Sequence, residues 1–207
     1  MKITKVMYDN WAVITITSVY ILTFTLINHF GLYTLESIVY QVPQNTPEIT
    51  DYLKLLVSIF SHHTTEHLIM NTIGVLFFGT LSKDHITNKG VFIVYIIAGL
   101  SGTFINSLVL DPQTHILGGS SGAFALLVIG MVNMYQNAEQ IPDGFGQWFA
   151  QTAFLVLLIG VILDQLYKMF TGAGIENVGY VSHVIGILIG INVIGYKELL
   201  SSTKDNT

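Results

Sequence analysis

Long runs of apolar residues separated by short polar stretches set the pattern of this chain. Trp11 to Phe30 carries no charge and opens on a tryptophan, a residue that anchors helices at a membrane interface. A polar loop with Pro43 and Pro47 follows, from Gly31 to Asp51. A second apolar stretch reaches Leu81, free of charge from His67 onward and polar at its outer end. Val91 to Leu110 is uncharged, and Asp111-Pro112-Gln113-Thr114-His115 breaks it. Gly118 to Gln136 is again uncharged, Trp148 to Tyr167 carries one acid, Asp164, and Gly179 to Tyr196 precedes a polar tail. A spanning helix needs about 20 mostly apolar residues. The pattern therefore predicts six membrane-spanning helices, over residues 11–30, 57–81, 91–110, 118–136, 148–167 and 179–196, in one all-α polytopic domain covering 1–207.

Composition agrees. Hydrophobic residues make up 51% and charged residues 10%, against about 25% charged in a soluble domain. Mean hydropathy is +0.61. There is no cysteine, which removes disulfides and thiolate chemistry. The net charge of −5, with no basic cluster, argues against nucleic acid as a partner. The first apolar run is too long for a cleaved signal peptide and lacks its small-residue cleavage site. Six spans put both termini on one side. Placing Lys2, Lys5, Lys83, Lys89, Lys197 and Lys204 in the cytoplasm leaves only Lys54 and Lys168 outside, so the positive-inside rule predicts cytoplasmic termini.

Polar residues inside spans are costly and mark functional sites. Three groups lie toward the starts of the second, fourth and sixth spans: His67 with Asn71, Ser120 with Ser121, and His183. These three spans run in the same direction, so the groups share a depth on the outer side. His67 and Asn71, at i and i+4, present two donors on one helix face, suited either to an oxyanion or to an interhelical bond. Gly186 and Gly190 form a small-xxx-small stripe near His183 that lets another helix approach. The fourth span, with Gly118, Gly119, Gly122 and Ala123, is its natural partner, and that packing would bring Ser121 to His183. A serine hydroxyl needs a base to become a nucleophile, and His183 could supply one as a dyad, no acid being placed to complete a triad.

Together these residues resemble the rhomboid family of intramembrane serine proteases. Gly119-Ser120-Ser121-Gly122 is similar to the family's G-x-S-G, with Ser121 in the nucleophile's place. His183-Val184-Ile185-Gly186-Ile187-Leu188-Ile189-Gly190 is similar to its H-x-x-G-x-x-x-G, with His183 as base. His67 and Asn71 fit its oxyanion-stabilising H-x-x-x-N, and His62 fits a histidine often found upstream. The resemblance implies a six-helix rhomboid-like bundle, a loop over Asp111 to Leu117 that dips into it, and a water-filled site open to the outside. It implies single-pass transmembrane proteins as substrates, cut near small residues, with no cofactor and no metal. The chain departs from the family pattern twice. The family's aromatic four residues after the nucleophile is Ala125 here, with Phe124 one residue earlier. The first outer loop lacks the Trp-Arg pair of many members, and the chain has no arginine.

Other readings compete. His63-Thr64-Thr65-Glu66-His67 matches the H-x-x-E-H zinc motif of a metalloprotease, with Asp164 or His183 as further ligands. Gly118-x-Ser120-x-Gly122 matches the nucleophile elbow, which needs a soluble α/β sheet. An inactive rhomboid-like protein would bind membrane segments without cutting them, although such relatives lose the serine or the histidine and this chain keeps both. A small transporter or channel would line a path with polar residues rather than gather them near one face. The bilayer is the expected surroundings, in a prokaryotic plasma membrane, and the sequence leaves the oligomeric state open.

Overall fold

The computed structural model describes residues 8–31, 38–43, 46–109, 117–172 and 179–204. Among these lie seven α-helices: α1 (Trp11–Asn28), α2 (Ile49–Ser58), α3 (Thr65–Ser82), α4 (Asn88–Val109), α5 (Ser120–Asn137), α6 (Gly144–Thr171) and α7 (Tyr180–Lys204). A single 3-10 turn, Ala138–Gln140, links α5 to α6. The protein is an all-helical integral membrane bundle. The expected dipping loop, Asp111 to Leu117, lies outside the described residues except for Leu117.

Six of these helices correspond to the six expected spans. The second begins later than the apolar pattern suggested. Residues 49–58 form the separate α2, closed by a reciprocal cap in which the Glu48 N–H donates to Asp51 Oδ2 at 2.9 Å. The chain then turns and restarts at Thr65, where the Thr64 hydroxyl accepts from the His67 N–H at 3.1 Å. That cap fixes the first turn of α3, which carries His67. At the other end of the bundle, Asp143 caps α6 by accepting from the N–H groups of Phe145 and Gly146.

Helices α1, α4, α6 and the Tyr180–Glu198 part of α7 are long and apolar enough to cross a bilayer by length and composition alone. α3 and α5, at 18 residues each, are diluted by Thr, His, Asn, Ser, Gly and Ala. At 1.5 Å per residue each is still about 27 Å long, close to the bilayer's apolar thickness. Dilution follows from position. α5 is the central helix, packed against α3, α4, α6 and α7, and its buried residues include Ser121, Gly122, Ala123, Ala125, Leu126 and Ile129. Side chains that touch protein on every side need not be lipid-like.

Small residues set the helix spacing, and the expected pairing of α5 with α7 forms, but not through the glycines of α5. Gly119 and Gly122 face α4, where a Cβ on either would collide with the Tyr95 side chain. Tyr95 is fully buried and its hydroxyl donates to the Ile59 carbonyl at 2.8 Å. The close approach of α7 to α5 comes instead from Gly186, which abuts the Ser121 carbonyl, and Gly190, whose Cβ would lie 2.7 Å from the Ala125 carbonyl oxygen. Backbone cannot yield as a flexible side chain can. Gly186→Ala is therefore expected to lower stability by about 1–3 kcal/mol through overpacking. Gly195→Ala, on the same helix with nothing within 4 Å, is the neutral control. Thermal unfolding of both variants in detergent micelles reads the difference.

Candidate active site

The three polar groups meet at one end of the bundle. His67 lies in the first turn of α3, Ser120 is the first residue of α5, and His183 lies in the first turn of α7. These helices deliver them to the same depth, as the shared direction of the spans predicts.

The serine that reaches His183 is Ser120. Its Oγ lies 2.9 Å from His183 Nε2. The expected contact of Ser121 with His183 is not formed. Ser121 is 2% exposed and its hydroxyl donates to the Ala98 carbonyl of α4 at 2.8 Å. It fills the hollow left by Gly102, where a Cβ would meet the Ser121 side chain. Helical geometry explains the exchange. Ser120 and Phe124 share one face of α5 at i, i+4, and Ser121 and Ala125 share the next. The first face meets His183, for Phe124 stacks on its ring with centroids 4.3 Å apart and planes 22° apart. The second supplies the carbonyls on which Gly186 and Gly190 pack. Phe124 thus stands four residues after the serine that contacts His183. Read one residue earlier, as Gly118-Gly119-Ser120-Ser121, the pattern gains its aromatic at Phe124 and loses its second glycine to Ser121.

Gly118 ties this serine to α3. It has φ +115°, a left-handed conformation that favours glycine, and its N–H donates to the Ser58 carbonyl at 2.9 Å. A Cβ there would lie 2.7 Å from His67 Cε1 and 3.6 Å from Asn71 Nδ2. Asn71 is 7% exposed, and its Nδ2 is buried with no hydrogen-bond partner among the described residues. An unused buried donor is costly unless some group it serves arrives later. The N–H groups at the start of α5 are further donors, since the first with a helical partner there is that of Ala123, bonded to the Gly119 carbonyl.

His62 lies beneath this cluster, fully buried, with its ring 4.4 Å from that of Tyr20 and 5.1 Å from that of His67. Its Nδ1 is 3.2 Å from the Phe60 carbonyl, which also accepts from Thr23 at 2.7 Å. His63 and Glu66 are exposed while His67 turns inward. The H-x-x-E-H residues therefore do not converge, and among the described residues no three His, Asp or Glu gather as metal ligands.

Sequence reasoning missed Gln165. It is buried on α6, and its Oε1 lies 2.7 Å from His183 Nδ1. Its neighbour Asp164, visible in the sequence as the lone acid of that span, does not touch His183. It accepts from Gln165 Nε2 and from Lys168 Nζ, each at 2.8 Å.

A family profile described as the Rhomboid domain matches residues 50–197. The chain is 29% identical over 120 residues to RHOMBOID-like protein 9, chloroplastic, of Arabidopsis thaliana, covering 56% of this chain and 26% of that protein. It is 25% identical over 144 residues to Rhomboid-related protein 1 of Caenorhabditis elegans, covering 68% and 38%. It is 26% identical over 168 residues to Rhomboid-related protein 2 of Mus musculus, covering 78% and 52%. The chain thus spans between about a quarter and a half of the length of these relatives.

Proposed function

From the premise that the chain belongs to the rhomboid family, we infer that it is an intramembrane serine endopeptidase working through Ser120 and His183. The observation that carries this reading is the 2.9 Å approach of Ser120 Oγ to His183 Nε2 at the start of a helix. In the proposed reaction His183 Nε2 takes the hydroxyl proton as Ser120 Oγ attacks the scissile carbonyl carbon. The carbonyl oxygen becomes an oxyanion served by the N–H groups at the start of α5, with Asn71 and His67 beside Gly118 as further donors. Protonated His183 then gives its proton to the leaving amine, and water releases the acyl group by the same steps in reverse order.

Substrates are proposed to be single-pass membrane proteins, cut near the outer side of the bilayer. The lysine distribution supports cytoplasmic termini. A prokaryotic plasma membrane rests on composition alone, the compared relatives coming from plant, worm and mouse. The domain is taken as 1–207, around the matched 50–197. A non-cleaving, segment-binding role is the weaker reading, because it leaves the Ser120–His183 contact without a use.

The purified protein in liposomes should cut a single-pass test substrate. Asn71→Ala should slow cleavage by about 100- to 1,000-fold, the usual loss for one oxyanion donor, with KM little changed. An unchanged rate would remove Asn71 from the mechanism.

A further inference from the structure

Helix α6 is the least buried of the bundle, with only 6% of its most apolar stretch inside the protein. Its one buried residue is not apolar. It is Gln165. A carboxamide costs more to bury than an alkyl side chain unless both its ends are bonded, and both ends of Gln165 are. Asp164, joined to Lys168 in an i, i+4 ion pair, accepts from the Nε2 end. An ionised carboxylate can only accept, so the end facing Asp164 must be the NH₂. The other end, Oε1, therefore faces His183 Nδ1 at 2.7 Å, and a carbonyl oxygen can only accept. Nδ1 must carry the proton, and a neutral imidazole then leaves Nε2 bare toward Ser120.

We propose that Gln165 is a positioning residue that fixes the reactive tautomer of His183, with Asp164 fixing the orientation of Gln165. Phe124 and Tyr180 cannot do this alone. Phe124 stacks on the ring and Tyr180 meets it edge-on, with centroids 5.8 Å apart. They set the plane of the imidazole, and a ring turned over within that plane would satisfy them equally. The Gln165 bond distinguishes the two nitrogens. It does the work that a carboxylate does in a serine triad, with a neutral acceptor in the apolar interior and the acid one bond further out.

This proposal rests on the Ser120–His183 reading for its kinetic consequence, but its tautomer claim stands separately. Gln165→Leu keeps the size and removes the acceptor. It should lower kcat by about 10- to 1,000-fold at nearly constant KM, less than the roughly 10⁴-fold that a wrong tautomer costs a soluble triad. Gln165→Glu restores an acceptor and should recover most of that loss, which a merely structural role would not allow. ¹⁵N spectra of histidine-labelled protein in micelles, with the His183 signals assigned by His183→Ala, should show the proton on Nδ1 in the wild type. In Gln165→Leu it should move to Nε2. The proposal is overturned if Gln165→Leu cleaves with wild-type kcat, if Gln165→Glu is no better than Gln165→Leu, or if wild-type His183 carries its proton on Nε2. Should the leucine variant not fold, the wild-type spectrum alone decides. A wild-type protein that cuts no substrate would count against the protease reading, while the spectrum would still test Gln165.

Discussion

Ser120→Ala is expected to abolish both substrate cleavage and labelling by a serine-reactive fluorophosphonate, whereas Ser121→Ala keeps both within a few-fold of wild type. The two serines are adjacent, yet helical geometry turns them to different neighbours. Ser120 Oγ approaches His183 Nε2 at 2.9 Å, the distance at which the base can take its proton. Ser121 Oγ is committed to the Ala98 carbonyl and 2% exposed. Alanine at 121 removes one hydrogen bond, worth about 1 kcal/mol or less between membrane helices. Its expected cost is a slightly lower unfolding temperature.

His183→Ala should be equally severe in rate, with a stability loss of about 1–3 kcal/mol from the buried Gln165 Oε1 it leaves unbonded. Without a base the Ser120 hydroxyl is a weak nucleophile, and the loss should reach about 10⁴-fold or more, near background. Fluorophosphonate labelling should fall with it, because that reaction needs the same activated oxygen. The α5–α7 contact depends on Gly186 and Gly190, not on the imidazole, so the bundle should survive. Thermal unfolding measured beside the cleavage assay separates lost chemistry from lost fold. A His183→Ala protein that cleaves normally would remove this histidine from the reaction.

The sequence made the bundle legible because uncharged runs of membrane length have few alternatives, and it made His67, Asn71 and His183 legible because ionisable or amide groups inside such runs are costly. The register of the serine was harder to read. Gly118-Gly119-Ser120-Ser121-Gly122 admits two alignments of a G-x-S pattern, and the second glycine of the motif favoured Ser121. Phe124, four residues after Ser120 and so on its face, favours the other alignment. The stripe of Gly186 and Gly190 predicts α5 as its partner, and α7 packs there. The glycines of α5 do not line that seam, because Gly119 and Gly122 accommodate Tyr95 of α4 instead. The start of α3 is blurred because the amphipathic α2, with Asp51 and Lys54, is separated from it only by a short turn. Gln165 gave no signal by charge. Its neighbour Asp164 did, and drew attention to the residue one position short of the one that meets His183.

The most direct test is to map the fluorophosphonate adduct on the wild-type protein by fragmentation mass spectrometry across residues 118–124. The account predicts the adduct on Ser120. An adduct on Ser121, or labelling that survives Ser120→Ala, would contradict it.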